Sequence, residues 1–282
     1  MTFSPEELEP QFLKDFRLLL DSPKTEGKQK EQEVQDYIES NTELFYPQFR
    51  THQGVYLRRI ISKFKVSTKK TTDFAYISAD SDTVNVVFVE IESPLKKIFT
   101  TKTDEAVFDS SFNKAIQQVE SWRIAIEQNR SEILDRLAPL LPTQRQRTEF
   151  KYALVYGRSD DKTYENRRKV FSDKKTHSGI LISTYDNLIE AYKNQETKLL
   201  NVLAQDGDGF RFKHMHLSPE HDFARLLPDQ LHLSNEQIER LRAEGYEIDA
   251  WLSGRYLSVN SKYTSAENAM KAAGFSRPVA TS

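Results

Sequence analysis

Val84-Asn85-Val86-Val87-Phe88-Val89-Glu90-Ile91-Glu92-Ser93-Pro94 reads as a central β-strand. Its apolar run is too continuous for an exposed edge, and Pro94 stops it. Just upstream, Thr71-Thr72-Asp73-Phe74-Ala75-Tyr76-Ile77 is a second strand, joined to the first through the polar turn Asp80-Ser81-Asp82. With Ser81-Asp82 as the two-residue turn of an antiparallel hairpin, Asp73 lies directly opposite Glu90. Glu92 shares that face because strand side chains alternate. Like charges directly opposite on a sheet are destabilising, and a buried unpaired carboxylate costs more. Two readings follow. A bound divalent cation with oxygen ligands removes both costs at once; alternatively, this is a solvated strand end whose carboxylates pair with nearby lysines. The turn lacks the usual glycine, which leaves room for a longer loop and a register shift of a residue or two.

The 282-residue chain is long enough for one sizeable domain with appendages or for two small domains. With 38% hydrophobic and 29% charged residues it has the profile of an ordinary soluble protein. No apolar stretch approaches a membrane-spanning length, and the first residues lack a signal-peptide pattern, so a cytoplasmic protein without membrane contact is expected. The absence of cysteine excludes disulfides, thiolate zinc sites and cysteine nucleophiles. A net charge of −2 does not announce a nucleic-acid binder. The charge is uneven, however. Arg58, Arg59, Lys63, Lys65, Lys69 and Lys70 form one basic group; Lys96, Lys97 and Lys102 follow the acidic strand. Arg145, Arg147 and Lys151 make a third group, and Arg167, Arg168, Lys169, Lys174 and Lys175 a fourth. Such runs are usually a solvated face, but basic groups around an acidic centre also suit a site where metal meets phosphate backbone.

Hydrophobic periodicity predicts helices over 5–21 (Leu8, Phe12, Phe16 and Leu19 or Leu20 on one face) and 28–40 (Val34, Tyr37, Ile38). Strands are expected over 55–66, 71–79 and 83–92, paired as a meander. A long helix over 104–129 carries Phe108, Phe112, Ala115, Ile116, Val119, Trp122 and Ile126 at helical spacing. A strand over 150–156, a helix over 160–173, a strand over 179–183 and a helix over 186–198 follow. The order gives a mixed α/β domain with a helix crossing between strands. Asp206-Gly207-Asp208-Gly209 reads as a turn or linker, after which no long apolar strand is evident and two short helices are expected near 234–245 and 265–273. The organisation expected is a helical N-terminal arm over 1–27, a main domain over 28–200 and a small C-terminal appendage over 201–282.

Glu31 lies three and seven residues before Val34 and Ile38, so it projects on or beside the buried face of its helix, and Gln35 shares that face. Gln118 sits at the border of the packed stripe of the long helix. A helix glutamate, an aspartate, a Glu-x-Glu strand end and a glutamine thus converge on one edge of a sheet. Other groups are weaker: His214, His216 and His221 fall in the tail, His177 in an expected loop, and Trp122 in the core. Arg158 follows Gly157 at a strand end, suited either to phosphate contact or to a surface ion pair. No Gly-rich phosphate loop, serine-hydrolase motif or zinc-protease motif is present.

The order of acidic helix, Asp-bearing strand, strand ending in Glu-x-acidic/Lys and Gln-bearing helix resembles the PD-(D/E)XK nuclease core. More narrowly, five patterns resemble the Shedu family of bacterial anti-phage nucleases over roughly residues 28–195. They are Glu31-x-x-Val34-Gln35-x-Tyr37-Ile38-Glu39, Val89-Glu90-Ile91-Glu92-Ser93-Pro94, Ala115-x-x-Gln118-Val119-x-x-Trp122, Val155-Tyr156-Gly157-Arg158 and Ser183-Thr184-Tyr185-Asp186-Asn187-Leu188. The resemblance implies a restriction-endonuclease-like core, a mixed sheet flanked by helices, in a homo-oligomer acting on DNA. It further implies that Asp73 and Glu90 are the metal pair, that Glu31 is the helix carboxylate and that Gln118 positions a neighbouring ligand or water. Glu92 stands where the general nuclease pattern has lysine. It is then an additional metal ligand, or Lys96, Lys97 or Lys114 reaches in from elsewhere, or the site is inactive. The activity implied is hydrolysis of a phosphodiester assisted by Mg²⁺ or Mn²⁺, with Arg158, Lys96 and Lys97 toward the nucleic acid. The contrasting expectation is a binding or sensing module of the same fold without hydrolysis.

Overall fold

The hairpin at the centre of the chain forms in the register that its sequence predicts: Phe74 pairs with Val89, Tyr76 with Val87 and Ala79 with Val84. Asp80 N–H bonds the Thr83 carbonyl, leaving Ser81 and Asp82 as the turn. No glycine is needed there, because the Asp80 carboxylate accepts from the backbone N–H groups of Asp82 and Thr83 at 3.0 and 2.8 Å.

The computed structural model describes residues 9–52, 54–68, 70–101, 105–142, 147–194, 198–258 and 262–274. The expected helix residues 5–8, 104 and 195–197, with Lys69, Lys102 and Arg145, lie outside the described residues. The strands are β1 Arg59–Ser62, β2 Lys65–Ser67, β3 Lys70–Thr71, β4 Phe74–Ala79, β5 Thr83–Ile91, β6 Arg147–Val155, β7 Leu181–Ser183, β8 Asn201–Asp206, β9 Gly209–His214 and β10 Leu231–His232. The helices are α1 Gln11–Asp21, α2 Lys30–Ser40, α3 Ser110–Gln128, α4 Arg130–Leu137, α5 Glu165–Ser178, α6 Tyr185–Asn194, α7 Glu220–Phe223, α8 Asn235–Ala243, α9 Ile248–Leu252 and α10 Ala266–Ala272.

Eight strands form one mixed sheet in the order β10-β9-β8-β1-β4-β5-β6-β7. The expected meander is present as β1-β4-β5, antiparallel throughout. Beyond it β6 pairs parallel to β5 after a crossover through α3 and α4. Helices cover both faces. Phe112, Ala115, Ile116, Val119 and Trp122 of α3 pack on the face of Ala75, Ile77, Val86 and Phe88. Leu13, Phe16, Val34, Ile38, Leu188 and Ile189 cover the face of Phe74, Tyr76, Val87 and Val89. Two helical layers and a continuous apolar central strand are what burial of both sheet faces requires.

Several boundaries differ from expectation. The strand expected over 55–66 is broken, because Leu57, Arg58 and Lys63 all take left-handed backbone conformations. The strand expected over 71–79 divides into β3 and β4, and Asp73 occupies the bend between them. The long helix starts at Ser110, where Asp109 caps it; Phe108 instead bridges Phe99 in extended backbone. The helix expected over 160–173 is a short turn at Ser159–Lys162 followed by α5, which places His177 in the last helical turn rather than a loop.

The tail departs most. It contributes β8, β9 and β10 to the main sheet, β8 pairing parallel with β1, where helices alone were expected. Its strands are short and polar on one face, so the apolar pattern that marks β5 is missing from them. Gly207-Asp208 is the turn between β8 and β9. A buried ion pair fixes the tail from behind: Arg59 of β1 donates to the Asp222 carboxylate of α7 and, at 3.0 Å, to the Leu140 carbonyl. Removing one partner of a buried pair leaves the other charge uncompensated. Asp222→Ala should therefore destabilise the fold by about 3–5 kcal/mol, measured by urea unfolding. Loss of less than about 1 kcal/mol, the scale of an exposed pair, would show that the tail is not anchored there.

Candidate active site

The carboxylates meet where β4 and β5 splay apart. Continuing the hairpin register by one residue sets Asp73 against Glu90, with both side chains on the α3 face of the sheet. Asp73 is 9% exposed and Glu90 7% exposed, so this strand end is buried rather than solvated. The Asp73 carboxylate accepts from Ile91 N–H at 2.8 Å and from Lys63 Nζ at 2.6 Å. Its carbonyl accepts from Lys63 N–H at 2.9 Å and from the buried Gln35 amide at 3.2 Å. Glu90 accepts from Gln118 of α3 at 2.5 Å.

Glu92 follows one step past the strand, its backbone N–H bonded to the Val155 carbonyl. Lys96 pairs with Glu92 and, at 3.5 Å, with Glu31 of α2. Burial works against the Lys96 charge, but Glu92 and Glu31 outweigh it and hold the ammonium above the ordinary lysine value. The loop carrying Lys96 lies close against the end of β6 because residue 157 is glycine. Gly157 has φ +59°, and a Cβ there would stand 2.8 Å from the Lys96 carbonyl.

The fully buried Tyr185 phenol at the start of α6 registers the convergence of these groups. Burial raises its proton affinity, and the charges of Asp73, Glu31, Glu92 and Glu90 raise it further. Its hydroxyl donates to the Glu92 carbonyl at 2.6 Å. Carboxylates from one helix, one bend and one strand end thus all act electrostatically on a single buried side chain.

Of the remaining sequence-derived residues, Lys97 lies 4.0 Å from both Asp160 and Asp161. Arg158 bonds Asp186 at 3.0 Å and also Asp21; with Lys97 it borders a hollow of about 320 Å³ beside the strand end. Lys114 is exposed on α3, and Trp122 is core. His214 stacks on His216, which donates to the Glu39 carbonyl. Among the described residues no group of three or more His, Asp or Glu side chains is arranged to hold a metal ion.

Sequence reasoning missed Lys63 and Tyr185 as members of this rim. Lys63 takes a left-handed conformation (φ +50°) at the break between β1 and β2, and its exposed side chain brings the ammonium to the Asp73 carboxylate. Its place in a basic run ten residues before Asp73 gave no sign of this. Glu39 was missed too: fully buried, it accepts from Gln35 at 2.9 Å and from Ser62 at 2.5 Å, and pairs with Lys213 of β9. That network ties α2, the end of β1 and the tail together behind Asp73.

A buried carboxylate pair flanked by a third carboxylate suits a hard cation. Mg²⁺ is bound through one or two carboxylates with water and phosphate oxygens completing its shell, so the two that would hold it here are Asp73 and Glu90. The chemistry of this donor set, all oxygen, fits Mg²⁺ or Mn²⁺ and not a thiolate or imidazole metal.

The fold and rim define an α/β protein with a carboxylate cluster at the end of its central hairpin. The family model described as Shedu protein SduA, C-terminal, matches residues 28–189, from the start of α2 into α6. The chain belongs to the Shedu family. No curated protein matches it.

Burial pushes the Glu90 carboxyl well above its ordinary range, and the Asp73 and Glu92 charges push it further. The folded protein thus binds this proton more tightly than the unfolded chain does. Its stabilising contribution is complete below the ordinary glutamate range and is lost as pH rises through the elevated value. In EDTA, Glu90→Gln should melt higher than wild type at about pH 8, by roughly 2–4 °C for each kcal/mol released, and the gap should close toward about pH 4.5. Parallel pH profiles for the two proteins would contradict this electrostatic account.

Proposed function

We propose that this protein is a metal-dependent endonuclease with a PD-(D/E)XK-type core, hydrolysing DNA phosphodiester bonds in bacterial defence against phage. On this reading it acts in the cytoplasm as a homo-oligomer. Among the described residues no helix is long and apolar enough to cross a membrane. The observation that carries the proposal is the buried Asp73–Glu90 pair, two carboxyl groups so deeply buried and so closely opposed that Glu90 retains its proton, with Glu92 beside them. A fold keeps such a pair at a cost in stability, and a divalent cation is the ligand that relieves it.

Mg²⁺ or Mn²⁺ held by Asp73 and Glu90 would supply charge neutralisation at the phosphate and a water acidic enough to attack near neutral pH. The chain's own residues do the rest. Gln118 orients Glu90 through its 2.5 Å hydrogen bond, and Ile91 N–H fixes the Asp73 carboxylate. Lys63 brings to Asp73 the positive charge that the general nuclease pattern places at the position of Glu92, so that glutamate there does not leave the site without a lysine. Its ammonium is the group available to stabilise charge developing on the phosphate. Lys96, between Glu92 and Glu31, limits the negative charge that DNA must approach.

A second reading has its own observation. Lys63 and Lys96 already neutralise Asp73 and Glu92 internally, which favours a nucleic-acid-binding or sensing module without hydrolysis. Plasmid and linear DNA incubated with Mg²⁺, Mn²⁺ or EDTA separate the two. Wild type should cleave only with a divalent cation, and Glu90→Gln should lose all measurable cleavage. Lys63→Met should lower the rate by about 10²–10³, the scale of losing one preorganised charge stabiliser, while DNA binding persists. Cleavage that persists in EDTA, or in Glu90→Gln, refutes the metal-pair assignment. Binding without cleavage under every cation supports the second reading.

A further inference from the structure

On the α6 side of the sheet, none of whose lining residues belongs to the carboxylate rim, lie two adjoining hollows of about 530 and 330 Å³. Both fall in the size range of small-molecule sites, and they share Tyr46 and Ala191 as a common wall. The two differ in chemistry. The larger is bordered by the side chains of Arg50, His52, Arg58 and Lys198, against one acid, Glu43, among its described lining residues. Arg58 and Lys198 are exposed and have no ion pair among the described residues.

Arg58 reaches this position at a conformational cost. Leu57 and Arg58 are consecutive non-glycine residues with φ of 51° and 49°, a backbone form that L side chains rarely adopt. Strain of this kind persists only where the surrounding structure over-determines it. The segment leading into the kink is held firmly: Thr51 N–H donates to Ser78 Oγ at 2.9 Å, and Ser78 Oγ donates to the Gly54 carbonyl at 2.8 Å.

The smaller hollow carries hydrogen-bonding groups that lack partners. Both polar atoms of the Gln48 amide are buried and find no partner among the described residues, and the same holds for the Ser183 hydroxyl, in a residue 7% exposed. Buried amides and hydroxyls in native folds are nearly always satisfied, so three orphaned atoms beside one hollow point to a group that completes them. The amide offers a donor and an acceptor side by side, matching the edge of a nitrogen heterocycle. Tyr46, between the two hollows, offers an aromatic ring to the face of that heterocycle.

We infer that the joined cleft is a binding site for a free nucleotide, its base against Gln48, Ser183 and Tyr46 and its phosphates toward Arg58, Lys198, Arg50 and His52. The site is separate from the carboxylate rim and does not depend on the nuclease reading. The two are physically linked, because α6 supplies Tyr185 to the rim at one end and Ala191 to the cleft at the other.

Calorimetric titration and thermal shift of the full chain test this, with ribo- and deoxyribonucleoside triphosphates of each base. EDTA is present throughout, so that no cation-bridged binding at the rim contributes. At least one triphosphate should bind at micromolar concentration and raise the melting temperature. Arg58→Glu and Lys198→Glu, both at exposed side chains, should each weaken it at least tenfold. Gln48→Leu should alter the preference among bases while leaving the response to the phosphates. Inorganic pyrophosphate and the free nucleoside should each bind more weakly than the nucleotide. The inference is overturned if no triphosphate binds at millimolar concentration, if pyrophosphate binds as tightly as any nucleotide, or if Arg58→Glu and Lys198→Glu leave binding unchanged. Binding confined to a single-stranded oligonucleotide also overturns it, since the site would then be part of a nucleic-acid track.

Discussion

Two carboxylates facing each other across the open end of the β4–β5 hairpin set the terms for the structure around them. A sheet that buries Asp73 and Glu90 on the same face must supply hydrogen-bond partners for both, because neither carboxyl group can be left unpartnered in an apolar surrounding. The partners come from every direction: Ile91 N–H from the next strand, Lys63 from the break after β1, Gln118 from α3. Gln35 and Glu39 secure the backbone behind Asp73 from α2, and Gly157 admits the Lys96 loop at the far side. Of these, Lys63 and Gly157 depart from regular backbone, with positive φ, while Ile91, Gln118, Gln35 and Glu39 sit within regular strands and helices.

The hairpin register makes the pair possible. Side chains alternate along a strand, so a slip of one residue would turn Asp73 or Glu90 to the opposite face and separate them. The apolar pairs Tyr76–Val87 and Ile77–Val86 hold that register, since slipping would also expose core residues on both sides. The turn contributes through Asp80, whose carboxylate replaces the backbone freedom that a glycine would supply. Stability of the core and geometry of the rim are therefore decided by one alignment.

The two helical layers meet at this rim with different tasks. On one face α3 provides bulk and a single polar reach, Gln118. On the other, α2 and α6 bring Glu31 and Tyr185 to the carboxylates, and the far part of α6 walls a cleft of opposite charge character. An acidic rim and a basic-lined cleft thus both adjoin one helix. The tail adds its own hold on this arrangement through β8 beside β1, Lys213 on Glu39 and Asp222 on Arg59.

Reading residues in order was enough for the hairpin, its register, the crossover helix, the apolar stripes of α2 and α3, and the meeting of Asp73 with Glu90. These depend on contacts between neighbours in the chain or on strict periodicity, and both leave a visible pattern. The strands β8, β9 and β10 were not legible, because short strands with one polar face carry no continuous apolar run, and their pairing with β1 joins residues far apart in sequence. Lys63 was visible only as one cation among several. Its role depends on a left-handed backbone angle and on a carboxylate brought beside it by folding. The same holds for Tyr185, Glu39 and the cleft that joins Tyr46, Gln48 and Arg58 to Ser183 and Ala191: side chains from separate segments come together only when the tertiary fold sets their distances, which no local pattern encodes.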